Sequence, residues 1–155
     1  MQTLSIRPAC IDDLPALIRL LADDEIGAAR DPVEMPLSPA YEAAFAAITQ
    51  DARNLLIVAE QDDAVIGFLQ MTYIQGLSWK GAERLLIEDL RVASAQRGQG
   101  IGGRLMAWCL DQARSRGCRV AELFAHQSRK EAHRFYKSFG FQDSHLGMRL
   151  VLENR

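Results

Sequence analysis

Gln96-Arg97-Gly98-Gln99-Gly100-Ile101-Gly102-Gly103 is the stretch from which the rest of this chain is read. Behind it lies the apolar, β-like run 85–92. Ahead of it Ile101, Leu105, Trp108 and Cys109 recur at helical spacing. Glycines at 98, 100, 102 and 103 strip side chains from a loop that leads into a helix start. Such a loop turns backbone N–H groups toward one anion, and the helix dipole adds partial positive charge. Arg97 is expected to supply a full one. A strand-to-helix turn without a ligand is the competing reading, but four glycines exceed what one turn needs. The local inference is a phosphate cradle.

Two familiar phosphate templates fail here. Gly98, Gly100 and Gly103 fit G-x-G-x-x-G, with Glu122 near the place of a ribose-binding acid. Only 33 residues follow Glu122, too few for the second half of a dinucleotide-binding sheet. A Walker A loop fails because Arg104 and Leu105 replace its Lys and Ser/Thr.

At 155 residues, with 48% hydrophobic and 25% charged residues, the chain is expected to form one soluble domain, 1–155. A net charge of −2 argues against a nucleic-acid partner. Cys10, Cys109 and Cys118 are odd in number, lack C-x-x-C spacing and read as reduced thiols of a cytoplasmic protein. No apolar run approaches membrane-spanning length, so no membrane association is expected. His126, His133 and His145 show no ligand spacing, and no metal is expected.

Residues 4–7 read as a short strand, and Ile11, Leu14, Leu17, Ile18 and Leu21 as a helix. Residues 23–38 are acidic, contain Pro32 and Pro36 and read as a loop. A helix follows from about Pro39. The runs 54–60 and 64–74 predict a hairpin, 84–92 the next strand, and 101–116 a helix closed by Gly117. A strand over 119–124, a helix around residues 132–139 and a final strand over 145–152 complete the order β-α-α-β-β-β-α-β-α-β. The fold class is α/β (α+β), a mixed, mostly antiparallel sheet with helices on both faces.

The strand Ile87-Glu88-Asp89-Leu90-Arg91-Val92 followed by Arg97-Gly98-Gln99-Gly100-Ile101-Gly102 resembles the acetyl-CoA signature R/Q-x-x-G-x-G/A of the GNAT N-acetyltransferases. The segment Ala132-His133-Arg134-Phe135-Tyr136-Lys137-Ser138-Phe139-Gly140-Phe141 resembles the same family's A-x-x-F-Y-x-x-x-G-F motif. The resemblance implies a GNAT-like fold over nearly the whole chain and acetyl-CoA as acetyl donor. Backbone groups of Leu90 and Val92, with Arg91 between them, would meet the pantetheine arm, and the Leu90 N–H would polarise the thioester carbonyl. N–H groups of Arg97, Gly98, Gln99, Gly100, Ile101, Gly102 and Gly103 would hold the pyrophosphate.

By the same resemblance Tyr136 stands beside the sulfur and protonates the departing thiolate. A tyrosine near pKa 10 is a weaker acid than a thiol near 8.5, so the transfer costs about 2 kcal/mol at these reference values, a cost the breaking of the carbon–sulfur bond offsets. Pairing with Phe135 in the core is the other reading. The attacking amine must lose a proton, and Glu88 or Asp89 is the candidate base. In a regular strand the two lie on opposite faces, with Glu88 sharing parity with Leu90 and Val92. Solvation, or pairing with Arg84 or Arg91, is the alternative for both. Many relatives carry Asn where this chain has Arg129. Arg129 would meet a cofactor phosphate or simply occupy the first turn of a surface helix.

The pattern of Ser128, Arg129, Ala132 and His133, with Ser144-His145, is similar to small-molecule acetyltransferases such as those acting on aminoalkylphosphonates. A small-molecule amine is therefore the expected acceptor. A protein N-terminus, a lysine side chain or a non-catalytic acyl-CoA sensor remain alternatives. In the connector, Asp23, Asp24, Glu25, Asp31 and Glu34 would attract a cation or lie solvated. Arg30, Trp79 and Lys80 point instead to an anionic or aromatic acceptor. A homodimer is the expected assembly on family grounds alone.

Overall fold

The first strand, β1 (Ser5–Pro8), lies antiparallel to β2 (Asn54–Gln61), pairing Ile6 with Ala59 in this computed structural model, which describes residues 4–152. β2 turns into β3 (Ala64–Ile74) through Asp62 and Asp63, both at positive φ (52° and 60°). Two such residues build the turn whose twist matches a tight hairpin. β3 pairs antiparallel with β4 (Arg84–Val92), and β5 (Val120–Leu123) completes the order β1-β2-β3-β4-β5. The Arg119 N–H donates to Glu83 O (2.9 Å), at the start of both β4 and β5. β5 therefore runs parallel to β4, and the sheet is mixed.

Helices flank the sheet. After a 3₁₀ turn (Ile11–Asp13), α1 (Leu14–Leu21) begins with Pro15 in its first turn, where the missing N–H is tolerated. α3 (Pro39–Gln50) is capped by Ser38, which accepts from the Ala40 N–H. Leu14, Leu17, Ile18 and Phe45 pack with Leu56, Val58 and Phe68 on one face of the sheet. On the other face lies α5 (Ile101–Arg116), with Ile101, Leu105, Met106 and Cys109 buried toward Leu69, Met71, Leu85 and Ile87. A Cβ on Gly67 would meet Leu105 and Ile101, so that glycine sets how closely α5 approaches.

Between β3 and β4, α4 (Ser78–Gly81) is a single turn, left-handed at Trp79 and Lys80. Two expectations need correction. The 23–38 segment is not wholly a loop, because α2 (Glu25–Arg30) lies within it. Residues 145–152 form no strand. Alternation tells which way side chains would face, but a strand also needs a neighbour to complete its ladder.

The chain divides into two compact units, meeting between Glu122 and Leu123. The second contains α6 (Lys130–Ser138), closed by Gly140 at φ 90°. Phe135 packs on Tyr136 and Phe139, and Tyr136 on Phe141. No helix among the described residues is long and apolar enough to cross a membrane.

Candidate active site

β4 is not a regular strand. Gln70 pairs with Glu88 and Phe68 with Arg91, so the single residue Leu69 faces two, Asp89 and Leu90. This is a β-bulge, and Asp89 takes φ 51° within it. Aspartate is one of the few side chains that tolerate that region. The bulge cancels the parity expected for a regular strand. Glu88 shares its face not with Leu90 and Val92 but with Arg91, the face carrying Phe68 and covered by α1 and α3. Val92, opposite Gly67, belongs to the α5 face.

The two carboxylates stand in different surroundings. Although Glu88 is exposed, desolvation by the surrounding protein pushes its carboxyl above the usual carboxylate range, and the charge of Asp89 adds to the shift. Asp89 in turn contributes to the raised pKa of Arg30, after the Asp31 hydrogen bond and Coulomb attraction. The alternative pairings with Arg84 and Arg91 are not seen. Arg84 pairs with Glu122 at 3.2 Å, and Arg91 Nε lies 4.0 Å from Asp24 Oδ2.

The glycine loop follows a 3₁₀ turn (Ser94–Gln96), and Gly98 and Gly100 adopt φ 78° and 79°. A Cβ at either position would meet nothing within 4 Å. The backbone conformation, not crowding by the protein, demands glycine there. Gly100 caps α5, and the buried Ile101 pins the helix start. The N–H groups of Ile101, Gly102 and Gly103 have no intrahelical acceptor, which leaves them for an anion. Arg97 departs from expectation: its own N–H donates to Ser94 O at 3.3 Å. Its guanidinium donates to Val92 O (3.1 Å), Asp23 O (2.8 Å) and Asp23 Oδ2 (3.2 Å), so its charge is met by the protein.

β5 has only four residues and starts level with Glu83. At about 3.3 Å per residue it reaches no further than the middle of β4. The edge of residues 90–92 extends past it. Leu90 O accepts from Arg91 Nη1 at 3.2 Å.

The acidic connector is largely occupied by its own neighbours. Asp23 is bound by Ser94 and Arg97, and Asp24 Oδ1 accepts from the Gly27 N–H (2.7 Å) as the cap of α2. Asp31 pairs with Arg30. A free acidic rim is reduced to Glu25 and Glu34.

In the second unit Tyr136 is half-buried in the aromatic cluster on α6. Arg129 is the N-cap residue of α6, and its N–H donates to His126 O at 2.9 Å. Three features escaped the sequence reading: α2, the bulge at Asp89 and the Asp23–Arg97 contact. Asp24 three residues before Gly27 was a usable capping signal for the first. Nothing local marked the other two.

The model of the acetyltransferase (GNAT) family matches residues 15–141, and the chain belongs to that family. It is an acyltransferase of the acetyl-CoA-dependent N-acetyltransferase class. It is 32% identical over 110 residues to an aminoalkylphosphonate N-acetyltransferase of Salmonella typhimurium, covering 69% of each chain. A thialysine N-epsilon-acetyltransferase of Bos taurus is 32% identical over 54% of this chain and 48% of its own length. Among solved structures, a protein from Bacillus halodurans described as a transcriptional regulator is 39% identical with a TM-score of 0.94. That match covers 97% of this chain and 100% of the other.

Proposed function

We propose that this protein transfers the acetyl group of acetyl-CoA directly to the primary amine of a small molecule within a ternary complex. The observation that carries the reading is the glycine loop. Two left-handed glycines turn the chain into α5, whose first N–H groups lack intrahelical acceptors, after a β4 that runs on past the short β5. Gly98, Gln99, Gly100, Ile101, Gly102 and Gly103 are the residues assigned to the pyrophosphate, and Leu90, Arg91 and Val92 to the pantetheine arm. Arg97 is assigned to hold the loop in shape.

Glu88 takes the proton from the ammonium, freeing the nitrogen lone pair to attack the carbonyl carbon. Its raised pKa brings it nearer the optimum for a base at neutral pH. Asp89 is the second candidate. The Leu90 N–H steadies the negative charge that develops on the carbonyl oxygen. As the carbon–sulfur bond breaks, Tyr136 gives its proton to the thiolate and regains one from the nitrogen as that becomes an amide, a role resting on its place in the family motif. Arg129 is assigned to a phosphate of the donor on the same ground. The family model spans both compact units, which supports treating 1–155 as one catalytic domain. The three free cysteines fit a cytoplasmic location.

Relatives named for small amines support a small-molecule acceptor. Titration calorimetry with CoA, followed by thiol release from acetyl-CoA over a panel of amines, tests this. Turnover on small amines is expected. Activity on peptides alone would make the acceptor a protein, and CoA binding without turnover on any amine would make the chain a sensor. A homodimer is favoured by Leu146, Met148, Leu150 and Leu152, alternate residues 72–88% exposed. Sedimentation should give a dimer that Leu150→Lys weakens, and a wild-type monomer would refute it.

A further inference from the structure

Just beyond α1, Asp23 reaches across to the segment that carries the glycines. The Ser94 N–H donates to its Oδ2 at 2.6 Å. Arg97 Nη2 donates to the Asp23 carbonyl and to the same carboxylate, while Arg97 Nε holds Val92 O at the end of β4. One planar guanidinium thus ties three things together: the end of the donor-side strand, the entry to the glycine loop and the α1–α2 connector. The next residue, Asp24, caps α2 and faces Arg91, whose buried Nε has no hydrogen-bond partner.

We propose that Asp23 and Arg97 are a positioning pair that fixes the glycine loop and the start of α2 in one arrangement, so that donor and acceptor sites share a single support. This rests on the acetyl-CoA reading above. The physical need is clear from the backbone. Gly98 and Gly100 surrender side-chain constraints, and a loop that binds through N–H groups must be held from outside itself. Arg97 does this because its fork is met by protein oxygens. The side chains are half exposed for Arg97 (51%) and one-third exposed for Asp23 (32%), so the coupling is modest.

The test is a double-mutant cycle with Asp23→Ala, Arg97→Gln and both together, read by calorimetric binding of CoA. Each single change should weaken CoA about fivefold, roughly 1 kcal/mol at 1.4 kcal/mol per decade. The double variant should stay within about twofold of the worse single one. Asp23→Ala should also raise the acceptor KM more than it lowers kcat. In the ligand-free protein, amide exchange should speed up in both 98–103 and 25–30. Asp23→Asn, a milder change, carries the same cycle if the alanine variant folds poorly.

The proposal is overturned if Arg97→Gln weakens CoA equally with and without Asp23, since Arg97 would then touch phosphate directly. Faster exchange in the glycine loop with α2 unaffected would also overturn it. Wild-type protein that does not bind CoA would instead sink the acetyl-CoA reading, and the ligand-free exchange data would still judge the pair.

Discussion

Glu88 and Arg91 stand on the same face of the sheet although they are three positions apart, because Asp89 is inserted as a bulge opposite Leu69. The insertion turns Glu88 toward the α1 and α3 side and leaves Asp89 at a left-handed position near Arg30. A base must be ionised to accept the amine proton, so activity should fall as pH drops through the Glu88 pKa. That acid limb of kcat/KM should sit above the ordinary carboxylate value of about 4.3. Glu88→Gln should remove the limb and lower kcat by about 10²–10⁴-fold. Asp89→Asn should keep it and move it to lower pH, since the Asp89 charge is one of the two causes of the shift. If Asp89→Asn abolished the limb instead, the two roles would be exchanged.

Glycines 27 and 100 should fail differently. A Cβ on Gly27 would come within 1.9 Å of Leu21 O, a backbone atom that cannot swing aside. Gly27→Ala should therefore destabilise the protein by about 1–3 kcal/mol, visible as a lower Tm. Gly100→Ala meets no protein atom but must hold φ 79°, at about 1–2 kcal/mol. Its added methyl should also stand where an anion would lie, so CoA binding should weaken beyond what the Tm change implies. Equal effects of the two on CoA binding would argue that the loop is only a turn.

How much of this was readable beforehand differs by element. The hairpin, α3, β4 and α5 follow from local periodicity and turn residues, and the structure keeps them within a residue or two. The family motifs likewise rest on contiguous residues. What was lost depends on partners distant in sequence. The bulge exists because β3 and β4 share a register, and Asp23 meets Arg97 across 74 positions. The 145–152 segment failed for the same reason: its alternation was real, but no strand among the described residues pairs with it.

Asp13 gives the stability a defined acid side. It is buried and accepts from Arg7 through both oxygens (2.7 and 3.0 Å) and from the Cys10 N–H (2.8 Å), while Arg7 also pairs with Glu60. The Arg7 hydrogen bond holds the Asp13 carboxyl below the usual range, against the opposing effect of burial. A depressed folded pKa contributes stability that is complete above the unfolded value, about 3.9, and is lost as pH falls through the folded one. Asp13→Asn should lower stability at pH 7 by about 2 kcal/mol, discounted because Arg7 is one-third exposed. Its Tm should also fall less steeply than wild type between pH 5 and pH 2. A variant curve parallel to wild type would place the acid sensitivity elsewhere.

Tyr136 stands both in the family motif and in an aromatic cluster, so its test must separate catalysis from packing. Its ring meets Phe135 at 5.3 Å and Phe141 at 6.1 Å between centroids, contacts that a phenylalanine ring reproduces. Tyr136→Phe should keep these ring contacts and leave CoA affinity close to wild type while lowering kcat by about 10²-fold or more. The loss should be smaller with an acetyl thioester whose thiol is more acidic, because a better leaving group needs less help from a proton donor. A Tyr136→Phe enzyme with wild-type kcat on both thioesters would return Tyr136 to the aromatic cluster and leave thiolate protonation to solvent.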